Sequence, residues 1–222
     1  NMYVVATDPS GPYGFVAKID SSGKITWQRQ LSVTNGVDFK AAVVDSSFNI
    51  YAVAVGNNFD SNYLVKYNSS GVIQWQRYFA VSNPVNGYIL DPCIDIDSSG
   101  NIWILGVQNP SASFVVLLKY SSSGSLLSQY YSGGINGGNK QAYQGGVSLK
   151  ADSSGYLYIA ITEVYNVCCV QLYNTYMEKI STSNITGSAS WGFQQSGSTS
   201  GGILGTYGFA IDSSSNVYWS FA

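Results

Sequence analysis

Apolar positions along this chain come in short stretches with the period of a β-strand, and each stretch stops at a small polar break. Val, Ile, Tyr and Trp dominate runs such as "NIYAVAV" at 49–55, "NYLVKY" at 62–67 and "VIQWQRYF" at 72–79. Such runs, bounded by Ser, Asn, Asp and Gly, predict strands and tight turns. No convincing helical stretch is present. The breaks themselves recur. "KYNSSGVIQWQRYF" at 66–79 matches "KIDSSGKITWQRQL" at 18–31 in eight of fourteen positions, 48 residues apart. The first part of this motif returns as "KYSSSG" at 119 and "KISTSN" at 179. A second motif alternates strictly with it: "VVDSSFNIYAVA" at 43, "DIDSSGNIWILG" at 95, "KADSSGYLYIAI" at 150 and "AIDSSSNVYWSF" at 210. The opening "NMYVVA" reads as the tail of a fifth copy.

Each motif is two strands around a turn. Asp or Asn starts the turn by bonding its own backbone two residues on, and Gly supplies φ > 0 at its end. Asn184, which replaces Gly in one copy, is the next most tolerant residue. Phe48 and Ser215 do not suit that conformation, so their two turns are expected to differ in type. Within "VIQWQRYF", Ile73, Trp75, Arg77 and Phe79 share one face, as do Ile25, Trp27, Arg29 and Leu31 upstream. These Trp residues are expected to fill the wedge between neighbouring sheets, with each Arg stacked beside its Trp. The sharper alternative makes them binding residues.

Four antiparallel strands per period of about 53 residues predict an all-β chain built as a β-propeller with four-stranded blades. A parallel β-helix is the main competitor. The expected divisions are a partial blade over 1–32, blades over 39–80, 91–132 and 146–194, and a partial blade over 206–222. This strand count would leave "NVYWSFA" competing with "NMYVVA" for one place in a four-bladed ring. The expectation is therefore a part of a larger ring, completed by further repeats or by a neighbouring chain.

"DSSGNIWILG" followed by "FVVLLKYSSSG" resembles the SBBP-type β-propeller repeat, and more distantly the NHL repeat. The Ser-, Asn- and Tyr-rich variant with "IQWQR" also resembles repeats in structural proteins of marine bacteriophages. Propellers host unrelated activities, so the resemblance implies a fold far more strongly than a function.

Composition narrows the function classes. Charged residues are 10% and the formal net charge is −2, so no basic surface points to nucleic acid or anionic lipid. No apolar run approaches the length needed to cross a membrane as a helix. The chain lacks His altogether, which removes the commonest general base and metal ligand. Glu occurs only at 163 and 178. Ser is abundant without a base to activate it. Cys93, Cys168 and Cys169 have no metal-ligand spacing and read as small hydrophobes in strands, with a vicinal Cys168–Cys169 disulfide as the alternative. Asp95, Asp97, Ser99 and Gly100 match the start of a calcium loop, but Gly106 stands where its last acidic ligand belongs. Asn68-Ser69-Ser70 and Asn184-Ile185-Thr186 fit the glycosylation triplet but sit in repeat turns. No catalytic residue, metal or cofactor is assigned.

In an antiparallel blade the repeated Ser–Ser–Gly turns emerge at one end and the variable connections at the other. Loops on a rigid scaffold commonly carry recognition. Phe59, Asp60, Tyr88, Tyr143 and Tyr165 are the candidate binding residues of that variable-loop end. The expected function is a non-enzymatic structural or adhesive module of a virion, such as a phage tail or fibre, or of a cell surface. It would recognise glycan or protein within a larger assembly, outside the cell or on the virion. The alternative is a lyase- or glycosidase-type propeller enzyme with carboxylates gathered at a central channel.

Overall fold

A computed structural model describes the chain except for residues 9–10, 12, 34–35, 57–60, 80, 83–85, 110–113, 133–146, 168–169, 186–190, 200–205 and 222. The described residues form strands and turns, with no helix among them. The first sheet holds β1 (Met2–Thr7), β2 (Tyr13–Ile19) and β3 (Ile25–Ser32). The second holds β4 (Val37–Val44), β5 (Ile50–Gly56), β6 (Asn62–Tyr67) and β7 (Ile73–Phe79). The third holds β9 (Asn86–Ile96), β10 (Ile102–Asn109), β11 (Phe114–Tyr120) and β12 (Leu126–Ser132), with the short β8 (Val81–Ser82) added beside β9. The fourth holds β13 (Val147–Ala151), β14 (Tyr156–Val167), β15 (Val170–Ser181) and β16 (Trp191–Thr199). The strands β17 (Thr206–Ile211) and β18 (Val217–Phe221) pair alone. Every pairing is antiparallel between neighbours in the chain.

Register repeats from sheet to sheet. An aromatic residue of one strand faces a Lys on the next: Tyr3 and Lys18, Tyr51 and Lys66, Trp103 and Lys119, Tyr158 and Lys179. The Lys in turn faces Trp27, Trp75, Ser128 or Trp191 on the outer strand. Each ammonium lies over its aromatic ring, at 5.7, 4.9, 4.7 and 5.1 Å from the ring centre in chain order, a charge–quadrupole attraction.

The sheets pack face to face in chain order. Val16 and Leu31 of the first sheet share a core with Val37, Phe39, Ile50, Ala52 and Tyr67 of the second. The other face of β5, with Tyr51 and Val53, packs on Ile89, Ile94, Ile102 and Ile104 of the third. Trp103, Leu105 and Leu117 then meet Leu149, Leu157 and Ile159 of the fourth. Tyr158 and Ala160 meet Ile211 and Val217 of the last pair. β5 is therefore buried on both faces along its length, which explains why "IYAVAVG" lacks polar alternation. The first strands of the later sheets also touch in series, β4 with β9, β9 with β13 and β13 with β17, while β1, which by register matches β5 and β10, touches β4.

Two local expectations are corrected. The turns at Phe48 and Ser215 are of the same type as the others. Both residues take φ near +60° (61° and 63°), beside 75–85° for Gly23, Gly71, Gly100, Gly124 and Gly155. Their N–H groups close the same turn, Phe48 onto Asp45 O at 2.9 Å and Ser215 onto Asp212 O at 3.0 Å. The turn and both flanking strands impose the conformation, and the residue bears the strain. Tyr165, expected at the variable-loop end, is also not in a loop: β14 continues to Val167 and β15 starts at Val170, pairing Tyr165 with Leu172 and Val167 with Val170.

Candidate functional site

Polar chemistry among the described residues concentrates at the Asx–Ser–Ser end of the sheets, and it begins with the residue that opens each turn, a carboxylate at Asp20, Asp45, Asp97, Asp152 and Asp212. Asp45 Oδ1 accepts from the N–H groups of Ser47 and Asn49 at 2.9 and 2.8 Å. Asp97, Asp152 and Asp212 accept the equivalent pairs, as does the amide oxygen of Asn68. This i, i+2, i+4 pattern satisfies backbone donors that the turn would otherwise leave to water. The second oxygen then takes an aromatic donor six residues on: Tyr51 OH to Asp45, Trp103 Nε1 to Asp97 at 2.9 Å, Tyr158 OH to Asp152 and Tyr218 OH to Asp212. Burial is the largest influence on Asp97 and Asp45 and opposes their ionisation. The hydrogen bonds from the Asn side chain, the aromatic donor and the turn N–H groups together outweigh it, and both carboxyls are held below the usual range.

The calcium-like segment is used differently from a cation site. Asp97 accepts from Ser99, Asn101 and Trp103. Asp95 Oδ2 instead accepts from Ala151 N of the next sheet at 2.9 Å, with Lys150 Nζ at 3.7 Å. Asp38 takes Thr7 Oγ1 of the first sheet and Lys40 Nζ. Among the described residues no three His, Cys, Asp or Glu side chains gather. The Cys93 Sγ–H points to Leu105 O at 3.5 Å, and burial pushes its pKa to about 12, so at neutral pH it remains a protonated thiol. Cys168 and Cys169 lie outside the described residues.

The repeated Trp–Gln–Arg forms a clamp on the following sheet. Trp27 Nε1 donates to Ser69 O at 3.1 Å, Arg29 Nε to Gly71 O at 2.8 Å and Arg29 Nη2 to Ser70 O at 3.2 Å. Trp75 and Arg77 repeat this on Ser122 O, Gly124 O and Ser123 O at 3.2, 2.8 and 3.1 Å. Each guanidinium stacks beside its own indole, 5.6 and 5.2 Å from the ring centre. The indole lies on the turn Gly: a Cβ at Gly71 would stand 2.7 Å from Trp27, and one at Gly124 3.0 Å from Trp75. Behind the clamp sit Tyr67 and Tyr120, both raised to about 12 by burial, with the nearby Arg charge acting the other way. The Tyr67 hydroxyl is buried without a hydrogen-bond partner. All three clamped acceptors are main-chain carbonyls. Sequence reasoning placed the Trp in the wedge and the Arg beside it, but carried no signal for where the donors point.

Of the candidate binding residues, Phe59, Asp60 and Tyr143 lie outside the described residues. Tyr88 lies on β9, paired with Asn109, and Tyr165 on β14, paired with Leu172; both therefore belong to strand backbone rather than to loops. No helix among the described residues is long and apolar enough to cross a membrane.

Neither a protein-family profile nor a curated protein sequence matches the chain. Among solved structures, it is similar to a protein of unknown function from Bacteroides caccae, at 11% identity and a TM-score of 0.43, over 86% of this chain and 80% of that one.

Proposed function

We propose that the chain is a segment of a β-propeller of the SBBP type and works as a non-enzymatic structural or adhesive module. Each sheet is read as a blade, with β4, β9, β13 and β17 lining the axis and β3, β7, β12 and β16 as the rim. The observation that carries the binding role is the commitment of the polar groups at the turn end. The Asp carboxylates hold the turns and the Trp–Arg pairs hold neighbouring sheets, so the repeated chemistry there is spent on architecture. Recognition then falls to the other end, to the connections that carry Phe59, Asp60 and Tyr143 and to the strand segments that carry Tyr88 and Tyr165. Low charge and abundant Tyr suit a glycan or protein surface on a virion or cell.

The test replaces the connecting residues 57–60 and 83–85, which leaves the core residue Ile89 in place, with Gly and Ser and reads binding on a glycan array and to whole cells. Binding lost with an unchanged melting temperature supports the reading. Binding that survives these grafts but fails when Ser69 and Ser70 or Ser122 and Ser123 are altered would reverse the assignment. Hydrolytic or lyase turnover abolished by Asp38→Asn would replace the module with an enzyme.

A further inference from the structure

Among the described residues three turns that lead into an outer strand end in Gly (20–24, 68–72 and 121–125), and two of them hold a clamp; the fourth, with Asn184 in place of Gly, lacks the bare face. Turns 68–72 and 121–125 are gripped by Trp27–Arg29 and Trp75–Arg77. The turn of the first sheet, residues 20–24, is built the same way. Asp20 N donates to Lys24 O at 2.9 Å and Gly23 N to Asp20 O at 3.1 Å, Asp20 Oδ1 accepts from Ser22 N and Lys24 N, and Gly23 has φ 83°. Yet Gly71 and Gly124 are buried under an indole while Gly23 is exposed, with nothing within 4 Å of where its Cβ would be. No donor among the described residues reaches the carbonyls of Ser21, Ser22 or Gly23.

We propose that the Ser21–Ser22–Gly23 turn is a docking site for an outer β-strand carrying Trp and Arg two residues apart, presented by another sheet of this repeat type. Three observations favour that occupant. Both internal clamps read only main-chain carbonyls and the bare face of a Gly, and all of these are present here. Both Trp–x–Arg pairs of the chain are already engaged, so neither can serve this turn without leaving its own. In the fourth sheet Trp191 holds the register place of Trp75, but Phe193 holds that of Arg77, and a phenyl ring has no donor for two carbonyls. Ile19 stands where Tyr67 and Tyr120 stand; because the Tyr67 hydroxyl has no partner, that exchange removes no hydrogen bond from the receptor. The inference rests on the two internal clamps and not on the proposed binding role.

The test joins a second copy of residues 37–100 directly ahead of Asn1 of the full chain. Asn1 takes the place of Asn101, so the added first strand and turn run into β1 in native register. The readout is hydrogen exchange at the indole Nε1–H of the added Trp75, followed by NMR. Docking predicts exchange slowed about ten-fold or more relative to an exposed indole, matching Trp27. It also predicts a melting temperature that falls when the added copy carries W75A or R77K. An added sheet whose backbone amides are protected while its Trp75 indole exchanges freely would overturn the proposal. So would an added sheet that stays unfolded, or a melting temperature insensitive to both substitutions.

Discussion

Gly71→Ala should be far more damaging than Gly23→Ala, although both glycines end the same turn. Each has φ > 0, 75° and 83°, so an added Cβ brings the left-handed strain of about 1–2 kcal/mol. Reduced freedom of the unfolded chain offsets about 0.4–1 kcal/mol of that. Gly23→Ala meets open space and should cost roughly 1 kcal/mol or less. At Gly71 the new Cβ would lie 2.7, 2.8 and 3.0 Å from three indole atoms of Trp27, inside any real carbon contact. The ring cannot retreat freely. Its Nε1–H is bonded to Ser69 O and its neighbour Arg29 to Ser70 O and Gly71 O, each bond worth on the order of 1 kcal/mol. Overpacking of this kind adds about 1–3 kcal/mol. The expected total for Gly71→Ala is therefore about 1–4 kcal/mol, about 1–3 kcal/mol more than Gly23→Ala. That corresponds to a fall in melting temperature of roughly 2–16 °C for a chain of this size. Urea denaturation followed by circular dichroism and tryptophan fluorescence measures both variants. In the background Trp27→Ala, Gly71→Ala should shrink to the cost of Gly23→Ala, a coupling that a double-mutant cycle isolates. Equal losses for Gly71→Ala and Gly23→Ala in the wild-type background would refute the reasoning.

Arg77→Lys keeps the charge but loses the fork that reaches Gly124 O and Ser123 O, and should cost about 1 kcal/mol or more in urea melts. Phe48→Gly removes the strained φ of 61° from a side chain 55% exposed; stability should rise by a few tenths to about 1 kcal/mol, and a clear loss would show that the Phe48 ring is held by contacts. Asp20, Asp45, Asp97 and Asp212 have lowered folded pKa values, so their stabilisation is fully present above the unfolded value of 3.8 and is lost as pH falls through the folded values. The melting temperature should accordingly drop below about pH 4, less steeply in Asp97→Asn, which should already start from a lower plateau. Glu178 has the opposite sign: burial raises its pKa, so ionisation above the unfolded value of 4.5 weakens the fold, and Glu178→Gln should stabilise at pH 7 but not at pH 3.

The sequence by itself determined whatever is held by near neighbours. Asx turns close through bonds to the residues two and four positions on, so Asp45, Asn68 and Asp97 announce them without tertiary help. Strand identity follows from period-two patterning, and the repeat carries the Lys–aromatic register from sheet to sheet. Tertiary structure decided what those local units are used for. Phe48 adopts a left-handed conformation that its own preferences resist, because two strands fix both ends of its turn. Tyr165 lies on a strand and not in a loop because β15 offers a partner along its whole length. The targets of Trp27 and Arg29 lie about 42 residues ahead and are main-chain carbonyls. A carbonyl is common to every residue type, so it leaves no mark in the sequence, and only the stacking of one sheet on the next can aim a donor at it.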